Sequence, residues 1–209
     1  MITALGNPDN SKLIVSNPTS GGNGRWSAWG FLLLLAIRLL AGSHAALAQA
    51  ERPTEYTVKA AYLFNFVKFI EWPAGVVNDN LLRVCVLGNG PLGPALEQMV
   101  TGATANGKVL QAIRITRPGE AVACQVLFLS ASEDGRLREV LEALGASAVL
   151  TVSDLPLFSQ RGGMIELVLE QGRVRFEVNL AAANAANLTL SSELLKLARR
   201  VRTTTAGRG

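Results

Sequence analysis

The stretch from Tyr56 to Pro73, YTVKAAYLFNFVKFIEWP, constrains the fold more than any other part of the chain. Its residues are mostly apolar or aromatic, and Pro73 ends the run because proline cannot continue a helix. At about 100° per residue, the apolar side chains cover one broad arc and leave a narrow polar strip. The arc holds Val58, Tyr62, Leu63, Phe66, Val67, Phe69 and Ile70, and the strip holds Thr57, Asn65, Lys68 and Glu71. This pattern predicts a helix packed into a domain, and its charges argue against a membrane span.

Two residues interrupt this pattern. Lys59 lies inside the apolar arc, where we expect its stem to carry the ammonium group out to solvent near the helix start. Phe64 lies inside the polar strip, which leaves two interpretations: contact with another part of the same chain, or a surface for a partner. Trp72 extends the same side by one turn. The candidate partner surface therefore consists of Phe64, Lys68, Glu71 and Trp72.

The first 48 residues resemble an export leader. Residues 1–25 are polar, residues 26–40 are mostly apolar, and Ala46-Leu47-Ala48 matches the small-x-small cleavage pattern. We interpret residues 1–48 as a signal peptide, with an uncleaved anchor as the alternative, and residues 49–201 as one domain. Residues 202–209 lack apolar periodicity and are predicted to be a disordered tail.

Charge and histidine content exclude several functions. The net charge is +4, but seven of the 20 basic residues lie in the leader and at the C-terminus, so the body is close to neutral and nucleic acid binding is not predicted. The single histidine, His44, lies in the leader. A mature chain without histidine has neither Ser-His-Asp nor Cys-His catalysis nor a histidine metal site. An enzyme that uses carboxylates is a further alternative, but acidic residues such as Glu133, Glu139 and Glu142 have spacings typical of a solvated helix face. We predict no catalytic residues, no metal and no cofactor.

The two cysteines of the chain lie in predicted strands. Cys85 is inside Arg83-Val-Cys-Val-Leu87, and Cys124 directly precedes the apolar run 125–129. In an oxidising compartment this even count favours a disulfide. Such a bond would close a loop of about 40 residues and stabilise the fold by roughly 4 kcal/mol, because it lowers the entropy of the unfolded chain. Two unpaired buried thiols are the alternative.

From Leu81 onward, predicted strands and helices alternate, which is typical of a layered α/β sandwich with a mostly parallel sheet. The final predicted strands, Met164–Glu170 and Arg173–Asn179, form an antiparallel edge hairpin with Gln171-Gly172 as its turn. Ile165, Leu167, Leu169, Val174, Phe176 and Val178 are expected to be buried, with Arg173, Arg175 and Glu177 on the opposite face. Asn179 is expected to cap a helix, and a last helix is predicted over Glu193–Val201. The other predicted elements are strands Leu82–Leu87, Val109–Ile115, Val126–Leu129 and Ala148–Val152, and helices Pro94–Val100 and Gly135–Leu144.

The sequence Gly88-Asn-Gly-Pro-Leu-Gly93 fits the dinucleotide-binding pattern after a strand. However, Pro91 removes one N–H from the loop that would hold a pyrophosphate. No acidic residue lies about twenty positions beyond Gly93, where a ribose would need one. We interpret the motif as a plain turn.

Six segments together resemble the YfiR family of exported Gram-negative proteins, over about Tyr56–Arg200. They are AAYLFNFVKFIEWP, VCVLGNGPLG, CQVLFLS, TVSDLPLF, the later GGMI, and RFEVNLAAANAANLTLSSELLKLARRV. The family's first-strand cysteine and the one before the third strand match Cys85 and Cys124. Some members have a second cysteine pair near Leu157–Met164, where this chain has no cysteine.

The resemblance implies a periplasmic protein without catalytic activity. Its expected partner is the periplasmic domain of an inner-membrane GGDEF diguanylate cyclase of the YfiN type, which it would hold inactive. The competing interpretation is a periplasmic sensor of a small-molecule ligand, with Arg175 and Asn179 near the hairpin as polar contacts. The sequence also leaves a homodimer open.

Export predicts a processed N-terminus. Cleavage after Ala48 should leave Gln49 as the first residue, because Ala46-Leu47-Ala48 has the required small side chains. Intact-mass measurement of the protein from a periplasmic extract checks this. Detection of residues 1–48 on that protein would contradict cleavage and favour the anchored form.

Overall fold

The computed structural model describes residues 53–77 and 80–204 of the chain. The predicted leader lies outside these residues, as do positions 205–209 of the predicted tail. The helices are α1 (Glu55–Phe66), α2 (Leu92–Val100), α3 (Leu137–Leu144), α4 (Leu180–Ala185) and α5 (Ser192–Leu197), with 3-10 turns at Val67–Phe69, Pro118–Ala123 and Ala131–Arg136. The strands are β1 (Ile70–Glu71), β2 (Leu81–Leu87), β3 (Thr104–Ala105), β4 (Lys108–Ile115), β5 (Val126–Leu129), β6 (Leu150–Ser153), β7 (Ile165–Glu170), β8 (Arg173–Asn179), β9 (Thr189–Leu190) and β10 (Arg200–Arg202).

Eight strands form one mostly parallel sheet in the order β10-β8-β7-β6-β5-β2-β4-β3. The central pairs β4/β2, β2/β5, β5/β6 and β6/β7 are parallel, and β7/β8 and β3/β4 are antiparallel. β5 is buried along its whole length because helices cover both faces. A separate two-stranded sheet joins β1 to β9, with Ile70 opposite Leu190. The predicted α/β sandwich with a mostly parallel sheet is confirmed.

The sheet separates two hydrophobic layers. On one face, α1 and α2 pack with alternate side chains of the strands, such as Val84, Phe128 and Phe176. On the other face, α3 and the 3-10 turn Pro118–Ala123 pack over Leu127 and Leu129. Interdigitated layers on both faces of one sheet make a single core domain.

A disulfide joins Cys85 and Cys124, as the sequence favoured, with their Cα atoms 6.0 Å apart. Cys85 lies on β2 and faces the second layer, whereas Cys124 follows the 3-10 turn Pro118–Ala123 and precedes β5. The bond therefore ties the start of β5 to the middle of the neighbouring strand.

Several local predictions are confirmed. Gln171 and Gly172 both have positive φ, 50° and 73°, which is the backbone geometry of a tight type I′ hairpin turn. Gly145 ends α3 with a φ of 53°. Asn179 accepts a hydrogen bond from the backbone N–H of Ala182 and so caps α4.

The predicted helix through Trp72 is too long. α1 ends at Phe66, and the chain passes through one 3-10 turn into β1. The backbone N–H of Ser191 donates to the carbonyl of Phe69, and Ile70 pairs with Leu190. Pairing with a distant strand thus overrides the helical periodicity, which a local pattern cannot reveal.

The last predicted helix is also too long. α5 ends at Leu197, Ala198 is extended, and Arg200–Arg202 form β10 beside β8. This strand borders the hairpin, so that β8 is not the outermost strand, and it takes Arg202 out of the predicted tail. The guanidinium groups of Arg199 and Arg200 lie 3.4 and 3.9 Å from the carboxylate of Glu177 on β8. These opposite charges favour the extended pairing over another helical turn.

Two hairpin side chains differ from their expected burial. Leu169 is 57% exposed, because this end of the hairpin extends past the core. Glu177, expected on an open polar face, is buried, and Arg199 and Arg200 compensate its charge.

The disulfide should contribute substantially to stability. Replacing both Cys85 and Cys124 by alanine should lower the free energy of unfolding by about 2–4 kcal/mol, because the unfolded chain regains the entropy of the closed loop. Urea unfolding of both proteins measures the difference. As a control, reductant should destabilise the parent protein and leave the double variant unchanged. Free thiols on the denatured, unreduced parent would contradict the bond.

Candidate functional site

The outer side of α1 carries the first part of the candidate partner surface. The ring of Phe64 is half-buried against the core edge, and the ammonium group of Lys68 lies 4.2 Å from the ring centroid. Lys68 also donates to the side-chain carbonyl of Asn65 at 2.9 Å. Phe64 thus has neighbours in its own chain, as the first interpretation expected, and still presents part of its ring to solvent next to a cation.

Glu71 and Trp72 form the second part of the surface, but by a different route from the one predicted. They do not extend the helix by a turn, since α1 has already ended at Phe66. Glu71 is exposed on β1 opposite Thr189. Trp72 is half-buried, and its indole Nε1 is buried without a hydrogen-bond partner. The structure brings Phe64 and Lys68 into contact, while Glu71 lies on β1 and Trp72 directly follows that strand.

Lys59 fixes the orientation of α1, although we expected its ammonium group in solvent. The residue is 4% exposed, and its ammonium group lies 2.6 Å from the carboxylate of Asp154, directly after β6. Glu55, one turn earlier on α1, supplies a second carboxylate. The i,i+4 spacing of Glu55 and Lys59 was visible in the sequence, but the third partner comes from a distant loop.

Burial alone would lower the pKa of Lys59, because it disfavours the charged form. The hydrogen bonds to Asp154 and Glu55 outweigh burial, and the pKa is raised above the ordinary value of 10.5. Lys59 is therefore an ammonium ion over the whole physiological range. Its ion pairs hold the start of α1 at the carboxyl end of β6.

The polar residues of the hairpin do not form an open site. Arg175 is exposed on β8, whereas Asn179 is buried. The side-chain N–H of Asn179 donates to the carbonyl of Ser159, and its side-chain oxygen accepts from the backbone N–H of Ala182. The nitrogen and the oxygen of this amide thus both have partners in the chain. Arg175 and Asn179 lie on one face of β8, with the buried Glu177 between them.

A buried carboxylate that the sequence reasoning missed organises the loop before the hairpin. Glu166 on β7 accepts hydrogen bonds from the backbone N–H groups of Leu157 and Ser159 and from the Ser159 hydroxyl. Leu157 has a φ of 61°, so the loop is held in a conformation that a leucine rarely adopts. The alternation along β7 is that of a strand with one solvated face, so it gives no sign that Glu166 is buried. Only the hydrogen bonds from the loop at Leu157 and Ser159 show its role.

The glycine-rich turn after β2 is occupied by the chain itself. A Cβ atom on Gly88 would lie 2.4 Å from the hydroxyl of Ser132 and 2.8 Å from the side chain of Glu133. Glycine at this position thus permits close approach of the segment that follows β5. Such packing, with an acidic side chain against the turn, supports its interpretation as a plain turn.

Two negative findings apply to residues 53–77 and 80–204. No group of three or more His, Cys, Asp or Glu side chains in these ranges is placed to hold a metal ion. None of the helices there is both long and apolar enough to cross a membrane.

The fold and the helix surface define a single-domain α/β protein with a disulfide in its sheet and an aromatic residue half-exposed among charges. A family model described as YfiR/HmsC-like matches residues 56–199, and the chain belongs to that family. The match spans most of the part that the structure describes, including α1, the disulfide and β9. Membership in this family implies a periplasmic regulatory protein.

Solved structures show similarity at the level of the fold. A conserved domain protein from Vibrio cholerae O1 biovar El Tor has a TM-score of 0.51 and 10% identity, with 71% of this chain and 60% of that chain covered. An ABC domain from Streptococcus pneumoniae, solved in complex with L-Trp, has a TM-score of 0.42 and 11% identity, with 57% of this chain and 55% of that chain covered. The second likeness is too distant to support an argument, and the chain spans only a little over half of each matched structure.

The Lys59 ion pair gives a prediction for stability and its pH dependence. Lys59→Met should lower the free energy of unfolding by about 3 kcal/mol, because it leaves Asp154 without its main partner. Because the pKa of Lys59 is raised in the folded state, the ion pair stabilises the fold fully below pH 10.5. This stabilisation is lost as the pH rises through the folded-state pKa. Chemical unfolding at a series of pH values measures both effects.

The matched control is Lys68→Met. Because Lys68 is exposed, this substitution should change stability little. The double variant Lys59→Met/Asp154→Asn should recover part of the loss, since it removes the uncompensated charge. Equal stability of Lys59→Met and the parent would show that the ion pair does not hold α1.

Proposed function

We propose that this protein represses an inner-membrane diguanylate cyclase by direct contact with the cyclase's periplasmic domain, and so lowers cyclic-di-GMP. Family membership supports the class of partner. The observation that carries the contact surface is Phe64, a half-buried aromatic ring on the outer side of α1 with the Lys68 ammonium group at 4.2 Å.

Phe64 has the environment of an interface anchor. Aromatic residues ringed by polar ones often dominate binding energy, because the ring becomes fully desolvated while its neighbours exclude water. Lys68 presents a positive charge beside the ring, and Glu71 on β1 is an exposed residue of opposite charge, which suits orientation of a partner before contact. Trp72, directly after β1, adds a second aromatic residue.

The anchoring of α1 also supports this surface. Lys59 and the buried residues Leu63 and Phe66 fix the rotation of the helix, so Phe64 is presented without cost in conformational entropy. A surface that is already ordered binds more tightly than one that must be ordered by its partner.

A small-molecule sensor built on Arg175 and Asn179 has less support. The side chain of Asn179 is buried and hydrogen-bonded within the chain. Arg175 remains exposed on its own. The hairpin therefore offers the exposed arginines of β8 without the buried amide of Asn179, rather than the predicted set of convergent polar groups.

The proposed repression predicts a rise in cellular cyclic-di-GMP on deletion and a variant that loses binding while it remains folded. Deletion of the gene should raise cellular cyclic-di-GMP. Phe64→Ala should remain folded while its affinity for the cyclase's periplasmic domain falls by about 1–3 kcal/mol, because the ring is a contact and only partly a core residue. Affinity titration, a melting curve and a nucleotide assay on cell extracts provide the three measurements.

Phe66→Ala is the matched control on the same helix. Phe66 is 1% exposed, so its truncation should cost about 3–5 kcal/mol of stability and weaken binding only through unfolding. Unchanged cyclic-di-GMP after deletion would count against repression. A folded Phe64→Ala protein with full affinity would remove this surface from the contact and leave the rest of the proposal standing.

A further inference from the structure

The sheet has an open edge at β10. This strand is last in the order of the eight-stranded sheet, and in the described part of the chain it pairs only with β8. The backbone N–H of Arg199 donates to the carbonyl of Phe176 on β8 at 2.8 Å. Because the backbone groups of successive residues in a strand point to opposite sides, those of Val201 also face β8, and those of Arg200 and Arg202 face outward. Outward N–H and C=O groups of this kind can pair with another strand.

One face of the sheet at this edge is basic. Arg200 pairs in register with Glu177, and Arg202 shares its face because side chains alternate along a strand. Arg173 and Arg175 lie on the same face of β8 as Glu177, and both are exposed. We call the side chains of Arg173, Arg175, Arg200 and Arg202 the arginine face.

The carboxylates of the chain leave most of this charge unpaired. In the described part of the chain, Arg200 alone among the arginine face forms an ion pair, at 3.9 Å from the carboxylate of Glu177. Arg199 lies closer to the same carboxylate, at 3.4 Å. The other three guanidinium groups of the arginine face therefore remain available to a partner.

Charge decides which kind of strand can pair with β10. A second copy of β10 would bring arginine opposite arginine, and like charges directly opposite each other are destabilising. A strand with acidic residues at alternate positions would instead place its carboxylates on the side of the arginine face. Guanidinium and carboxylate groups form strong, often bidentate, hydrogen bonds. The edge thus favours an acidic segment over a copy of itself.

We propose that β10 and the arginine face bind an extended acidic segment of a partner protein, which adds a further strand to the sheet. Backbone hydrogen bonds to Arg200 and Arg202 would supply affinity, and the alternate carboxylates would supply specificity. This surface is separate from the Phe64 ring, and the proposal does not depend on the proposed contact with a cyclase.

A blocked peptide that alternates glutamate and threonine is a suitable probe. Nuclear magnetic resonance on the mature protein can follow the backbone N–H signals of β10. The peptide should shift the signals of Arg200 and Arg202 in a saturable way and slow their hydrogen exchange, because these groups become paired. The N–H of Val201 already faces β8, and its exchange should change much less.

Two control peptides test the charge pattern. A peptide of the same composition, with its glutamates in one block, should bind about tenfold more weakly, because its carboxylates cannot all lie on one face. A peptide that alternates lysine and threonine should not bind. Equal affinity of the alternating and the block peptide would overturn the assignment of an acidic strand.

A pair of variants separates the side chain of Arg202 from its backbone. Arg202→Ala should weaken the alternating peptide by about fivefold, because it removes a guanidinium group and keeps the N–H. Arg202→Pro removes the N–H as well and should weaken it by about a further fivefold. Proline is tolerated where the N–H side of an edge strand faces solvent, and melting curves check that both variants fold.

Lys196→Ala is the matched control for net charge. Lys196 is exposed on α5, whose buried side chain Leu194 belongs to the layer on the opposite face of the sheet. This variant should bind the peptide like the parent.

Three results would overturn the proposal. The first is the absence of a saturable shift at Arg200 and Arg202 with the alternating peptide. The second is equal affinity of folded Arg202→Ala and Arg202→Pro, which would exclude backbone pairing. The third is a shift of the same signals by vesicles of anionic lipid without any response to the peptide, which would assign the arginine face to a membrane surface.

Discussion

The ion pair between Lys59 and Asp154 is the interaction on which the candidate surface of this domain depends. A lysine that is 4% exposed cannot keep its charge without an opposite charge beside it, so α1 must keep the rotation that places Lys59 against the end of β6. Hydrophobic packing alone would tolerate several rotations of a helix with such a broad apolar arc. A buried pair of this kind adds little net stability but excludes alternative arrangements, which is its most useful contribution here. The rotation of α1 that buries Lys59 also turns Phe64 and Lys68 toward solvent.

The features that the sequence predicted well are those encoded by local pattern. Four consecutive apolar residues in β5 required burial on both faces, and the strict alternation around Gln171-Gly172 specified a hairpin before any contact was known. The disulfide could also be predicted, because one cysteine in a strand and one just before a neighbouring strand favour a bond in an oxidising compartment. Each of these inferences needs only residues close in sequence or a rule about the compartment.

The features that it missed depend on residues far apart in the chain. Nothing near Ile70 indicates that Leu190 will pair with it, and so the helix was extended to Trp72. The sequence around Arg200 and Val201 is compatible with either a helix or a strand. The strand forms beside β8, where the buried Glu177 supplies a negative charge for Arg200. The predicted position of the Lys59 ammonium group was wrong for the same reason, and the role of Glu166 was not predicted at all. A polar residue in a buried environment is recognisable only when its partner's location is known.

The pairing of β1 with β9 also changes how the candidate surface should be understood. The two segments that carry most of the family resemblance, FIEWP and NLTLSSELL, are hydrogen-bonded to each other through Phe69 and Ser191. A partner that contacts Glu71 or Trp72 therefore meets a unit whose two strands come from opposite ends of the domain. β9 leads directly into α5 and β10, so this pairing joins the candidate surface to the C-terminal end of the domain. A signal transmitted through the surface would have to alter the β1–β9 pairing or act directly on the half-buried rings of Phe64 and Trp72.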